Sequence, residues 1–286
     1  MNARQTWTAL RRNPAAIAGL IVLLALIAVA FFGSRLAPYP PQQPDLNALF
    51  SAPTADHPFG TDQLGRDLLS RVIAGSGYSL RTALLATLAA AVIGIPLGLL
   101  GGYFGGWIGR AVDLFTDSML AFPGIILALA VVTALGPGFT NAMLAVGISF
   151  SPVYARLVRG QVLTVKQMPY IEAGRLLGYS HWRILGLHIV PNILAPIVVL
   201  SSLGLSGAIL VGTALSFLGL GAAPPTPEWG AIMFAGVPFL QTAPWVTIFP
   251  GLAITITVLA ANLVGDGLRD ALDPRVRNVT VTRIKT

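Results

Sequence analysis

Asp56, His57, Asp62 and Asp67 lie close together in the chain and have the chemistry to hold a metal ion. Carboxylate and imidazole ligands suit a hard or borderline divalent cation. The stretch that holds most of them, Phe59-Gly60-Thr61-Asp62-Gln63-Leu64-Gly65-Arg66-Asp67, is rich in turn formers. Short polar side chains in such a place cap helices. Thr61 or Asp62 is therefore expected to cap a helix running through Leu68, Leu69 and Val72. His181 and His188 are not spaced as a pair of ligands one helical turn apart and read as interfacial polar residues. The chain has no cysteine, which excludes disulfides, thiol catalysis and thiolate metal centres. Its two lysines, Lys166 and Lys285, follow no Gly-x-x-x-x-Gly-Lys-Ser/Thr loop, so ATP cannot be bound by that route. No catalytic residue, resident cofactor or metal is expected.

The elements that position these residues follow from where charge is missing. Only 10% of the 286 residues are charged, 55% are hydrophobic, and the mean hydropathy is +0.75. Soluble domains carry about 25% charged residues, so a soluble globular enzyme is excluded, as is a disordered chain. Asn13–Ser34, Thr82–Gly109, Ser118–Ala155, Ile184–Pro227 and Trp229–Gly265 carry no charge at all. A bilayer span needs about 20 apolar residues. Spans are expected near Ala15–Phe32, Thr82–Gly101, Pro191–Thr213 and Val246–Val264. Two more flank the breaker Gly136-Pro137-Gly138, making six helices in an all-α polytopic membrane protein. The first resembles a secretory signal, with Arg4, Arg11 and Arg12 ahead of it, but its length favours a retained helix.

With six spans the termini share a side. Placing them in the cytoplasm leaves only Arg35, Arg66, Arg71 and Arg81 outside, and the other basic residues of the 18 inside, as the positive-inside rule asks. The net charge of +7 is thereby assigned to membrane topology rather than to nucleic acid. Asp113 and Asp117, at the inner end of the third span, and Asp266, at the inner end of the sixth, read as interfacial caps, so no buried ion relay is expected. Asn278-Val279-Thr280 matches a glycosylation acceptor by chance, on the inner tail. The inside segment 156–190 is basic and helix-prone. Pro169 suits the start of a short helix in it and Gly178 the end. Ile171, Leu176 and Leu177 exceed what so short a helix can bury, so it must dock on a partner or lie on the membrane surface.

Glu172-Ala173-Gly174, then Gly178, then His188-Ile189-Val190-Pro191-Asn192 resembles the cytoplasmic EAA loop of binding-protein-dependent ABC importer permeases. The resemblance points to the C-type subunit of the dipeptide/oligopeptide/nickel group. Its further pieces are Leu120-Ala121-Phe122-Pro123, Tyr154-Ala155-Arg156-Leu157-Val158-Arg159-Gly160, Leu215-Ser216-Phe217-Leu218-Gly219-Leu220-Gly221 with Pro227-Glu228-Trp229-Gly230, and Asn262-Leu263-Val264-Gly265-Asp266. The family usually has alanine where Gly174 stands.

The resemblance implies a type I importer fold in the bacterial inner membrane. It implies a homologous B-type permease partner, two ATP-binding cassette ATPase subunits that carry ATP and Mg, an external solute-binding protein, and a pathway for di- or oligopeptides. It assigns ATPase coupling to Glu172, Ala173, Gly174, Gly178, Ile189 and Pro191: Glu172 for polar contact, Ala173 and Gly174 for close approach, Gly178 for the turn. Three parts are expected: 1–79 with the first span and an external segment, a core 80–267 with the EAA loop at 156–190, and a tail 268–286. A stand-alone channel, a secondary transporter, or an anchor subunit without a transport role are the alternatives.

Overall fold

A computed structural model describes residues 3–272. The tail residues Arg275, Arg277, Arg283 and Lys285 and the Asn278-Val279-Thr280 triplet lie outside the described residues. After a short helix α1 (Ala3–Arg11), the first span is α2 (Pro14–Leu36). Asn13 caps it by accepting from the Ala16 amide at 3.1 Å, and Pro14 sits in the first turn, where no donor is missed. The second span, α3 (Leu68–Phe104), is far longer than the expected 82–101. At 1.5 Å per residue it reaches about 55 Å. The boundary drawn at residue 79 falls inside it.

The third span is not one straight rod. α4 (Gly106–Leu120) and α5 (Gly124–Leu135) meet at 97° across Ala121-Phe122-Pro123, where proline ends the helical hydrogen bonding. Gly136-Pro137-Gly138 then turns the chain into α6 (Phe139–Val165). Beyond α6 come α7 (Pro169–Leu176), α8 (His181–Ile184), a π-helical turn over 185–189, and α9 (Val190–Phe217). A short α10 (Trp229–Gly236) precedes the last span, α11 (Trp245–Leu272). Among the described residues, five helices are long and apolar enough to cross a bilayer, and the bent pair, counted as one span, makes six.

The centre of the fold is the contact of α3 with α6. Gly94 and Gly98, one turn apart on α3, bring its backbone against α6. A methyl group there would lie 2.3 Å from the Ser151 carbonyl and 2.5 Å from that of Ala155. Small residues four apart permit such approach where lipid supplies no hydrophobic drive between helices. The inside segment expected from Arg156 is helix-prone, and its first ten residues continue α6 to Val165. Asp113 and Asp117 are not free caps. Asp113 pairs with Arg159 at 2.6 Å and Asp117 with Arg156, clamping α4 to α6.

The segment between α2 and α3 is held by a buried charge network. Asp62 accepts from the amides of Leu64 and Arg66 and from Arg66 Nε at 2.7 Å, with Arg71 Nε 3.4 Å away. The N-cap of α3 is Asp67, not Thr61 or Asp62. It takes the Ser70 amide and hydroxyl on one oxygen and His57 Nδ1 at 2.9 Å on the other. Each carboxylate is committed to protein donors. Among the described residues, no three histidine or acidic side chains gather as a metal cluster. Asp62→Ala is expected to cost about 3–5 kcal/mol, because Arg66 and Arg71 stay buried without their counter-charge. A clear fall in the detergent melting temperature is the readout.

Glu228 caps α10, accepting from the Ala231 amide at 2.9 Å and the Ser79 hydroxyl at 3.2 Å. Burial pushes its carboxyl pKa up against those hydrogen bonds. Above 4.5, the ordinary value, the folded state then binds more protons than the unfolded one, so stability falls as pH rises through that window. Glu228→Gln removes this term. Its melting temperature relative to wild type is expected to climb from about pH 5 to about pH 8.

Candidate functional site

The residues of the EAA-like motif fall on α7, the turns around it and the start of α9. Pro169 opens the helix in its first turn. Its end is a Schellman turn: the Tyr179 amide donates to the Gly174 carbonyl at 3.0 Å and the Gly178 amide to that of Arg175 at 2.9 Å. Gly178 takes φ +77°, the left-handed conformation such a turn needs and glycine supplies without strain. Nothing lies within 4 Å of where its side chain would be. The constraint there is conformational only.

One face of α7 is built in and the other is bare. Ile171 is fully buried, and Gly174 is covered by Tyr179, whose ring a methyl group at 174 would meet at 3.2 Å. Glu172, Ala173, Leu176 and Leu177 point outward; Leu176 is 85% and Leu177 72% exposed. Of the three apolar side chains that so short a helix cannot bury alone, Ile171 finds its place against other helices of the chain, and Leu176 and Leu177 stay exposed. Gly174 makes its close approach inward, to Tyr179. Ile189 is fully buried below the helix, and Pro191 lies exposed in the first turn of α9.

Ile171 joins α7 to a core shared by three spans. Its cluster contains Tyr103 from the end of α3, Val158, Val162 and Val165 from α6, Ile184 and Ile189 from the next turns, and Ile193 and Ile197 from α9. A force on α7 therefore acts on the ends of three spans through one close-packed, weakly compressible core.

A polar lattice that the sequence reading did not anticipate surrounds this platform. Lys166 Nζ donates to the Tyr103 carbonyl at 2.6 Å, and the Tyr103 hydroxyl shares a hydrogen bond of 2.9 Å with His181 Nδ1. Burial, and then the charge of Arg175, lowers the Lys166 pKa. The Arg175 guanidinium stands 5.7 Å from the Tyr103 ring, and that of Arg183 is 4.2 Å from Tyr179. His188 stacks on Tyr179 at 5.8 Å. These cation–π and stacking contacts stiffen the turns on either side of α7. The available signal was Tyr103-Phe104 at the end of an apolar run, where aromatic residues mark the membrane boundary. Glu172 makes no hydrogen bond or ion pair among the described residues.

Comparison with known proteins places this geometry. Residues 94–278 match the family model of the binding-protein-dependent transport system inner membrane component. Residues 2–53 match that of the N-terminal transmembrane domain of oligopeptide transport permease C. The chain is 42% identical to the dipeptide transport system permease protein of Alkalihalophilus pseudofirmus over 275 residues, covering 96% of this chain and 90% of that protein. It is 47% identical to the glutathione transport system permease protein of Pectobacterium atrosepticum over 277 residues, covering 96% and 92%. An inward-facing structure of the MetNI methionine ABC transporter superposes with a TM-score of 0.57 at 20% identity, over 72% of this chain and 98% of that one.

Proposed function

The chain belongs to the binding-protein-dependent transport system inner membrane components, and from that premise we propose that it works by letting a separate ATPase push on α7. It is a multi-pass inner-membrane protein and a transport subunit. In this reading it forms, with a homologous permease, the pathway for a di- or oligopeptide delivered by an external binding protein. Both termini lie in the cytoplasm, where the basic residues gather. ATP and Mg are held by two ATPase subunits. The N-terminal region through residue 79 and the core 80–267 are joined within the one helix α3, and the tail follows the core.

The observation that carries the reading is the two-sidedness of α7. Leu176, Leu177 and Ala173 form an apolar outer face with the unpaired carboxylate of Glu172 beside it, while Ile171 anchors the opposite face to the ends of α3, α6 and α9. A partner groove that closes on the outer face moves those three ends together, and packed interfaces shift between discrete arrangements rather than deform. Gly174, Gly178 and Ile189 position the face, and Glu172 and Ala173 touch the partner. Pro191 starts the span that receives the push.

Peptide is the substrate class because the relatives are permeases named for dipeptides, for di- and tripeptides, and for glutathione, itself a tripeptide. The test is purification from native membranes in mild detergent, followed by reconstitution of whatever co-purifies. A homologous permease and P-loop ATPases in the complex, with ATP-dependent uptake of a labelled dipeptide or glutathione, are the expected result. Conductance or uptake by the chain alone, with no ATPase, overturns the proposal in favour of a channel or secondary transporter.

A further inference from the structure

At the opposite end of the fold from α7, α2 and α3 diverge around a cation that coupling does not use. The two helices touch where Gly33 faces Ile73 and Gly77 faces the Ala30 carbonyl. Earlier along α2, Gly19 packs instead against Ala260 of α11. The helices therefore splay as α3 proceeds. Beside the α2–α3 contact, where the 37–41 segment leaves α2, lies an open cavity of about 640 Å³, lined by Gly33, Pro38, Tyr39, Gly77, Tyr78 and Arg81 among others. Arg81 is exposed and makes no hydrogen bond or ion pair among the described residues.

Two features identify what this cavity takes. Arg81 is the last charge before the uncharged run Thr82–Gly109, which puts it at the boundary between headgroups and hydrocarbon. Past it, α3 exposes one apolar stripe: Leu84, Leu85, Leu88 and Val92, each 46–68% accessible. From Leu84 to Val92 the stripe runs about 12 Å down the helix. A guanidinium at the boundary with an apolar track beneath it matches a single amphiphile. The fork of N–H donors fits a phosphodiester, and the cavity has room for a headgroup.

We infer that the α2–α3 cavity is a binding site for an anionic phospholipid, with Arg81 on the phosphate and an acyl chain along Leu84, Leu85, Leu88 and Val92. The lipid fills the cavity beside the contact of the two helices and adds to the hold of the first span on the core.

The test uses the full chain, purified in mild detergent with its partners and stripped of lipid. Phosphatidylglycerol and phosphatidylcholine of identical acyl chains are titrated, and bound lipid is counted by native mass spectrometry. Wild type is expected to retain phosphatidylglycerol at least tenfold better. Arg81→Gln abolishes that preference and Arg81→Lys keeps part of it, with size-exclusion profiles unchanged. Equal retention of both lipids by wild type, or a preference that survives Arg81→Gln, overturns the inference. Displacement of the lipid by millimolar inorganic phosphate overturns it as well, since the site would then be one for free phosphate. If Arg81→Gln leaves lipid binding intact but releases a co-purifying permease, the cavity belongs to a protein interface and the lipid reading fails.

Discussion

Replacing Gly178 by arginine is expected to abolish transport while the chain still inserts, folds and assembles with its permease partner. Gly178 sits at φ +77° with empty space around its Cα. A side chain there clashes with nothing. The cost is the left-handed conformation, about 1–2 kcal/mol for a residue with a Cβ, too little to unfold a chain whose core lies elsewhere. That strain falls on the turn that fixes Tyr179 over Gly174 and so sets the outward face of α7, and a long cation is added at its edge. Uptake in vesicles and co-purification of ATPase should both be lost. Gly178→Asn is the control, because asparagine tolerates the left-handed region, and it should keep most of the uptake. If arginine is harmless, or asparagine is as damaging as arginine, the turn does not act as assigned.

The second large effect separates the face of α7 from its anchor. Leu176→Asp with Leu177→Asp changes two side chains that are 85% and 72% exposed. The free chain should keep its melting temperature. Burying each leucine on a partner is worth about 1.5–3 kcal/mol, so losing both should weaken ATPase association by roughly a hundredfold or more. Ile171→Asp should do the reverse. It places an unpaired charge among Val158, Val162 and Ile193, and the melting temperature should drop before any binding is measured. Equal destabilisation by the two variants would mean that the outer face is itself part of the fold.

Much of this chain was legible before any coordinates, for one physical reason. Hydrocarbon tolerates neither charge nor unpaired backbone groups, so the uncharged runs are the spans and must be helical. Proline at 169 and glycine at 178 likewise announced the limits of α7, because each residue has one backbone consequence wherever it stands. The order of motifs carried the family. The sequence showed a helix through Leu68 and Val72 but not that it runs unbroken into the second span, since the charge of Arg71 in its first turns is buried against Asp62 of the preceding loop. Nor could it show that the third span breaks at Phe122-Pro123.

The placement of side chains on α7 was left to tertiary structure. Ile171, Leu176 and Leu177 are chemically alike, and hydrophobicity alone could not say which of them the rest of the chain covers. Which one is buried depends on where the ends of α3, α6 and α9 converge, a matter of helices far apart in sequence. The pairings of Asp113 with Arg159 and Asp117 with Arg156, and the service of Asp67 rather than Asp62 as the cap of α3, have the same origin. Sequence determined which residues had to leave water, because transfer free energy belongs to each side chain separately. The fold decided which neighbour each of them met, because contact is a property of pairs.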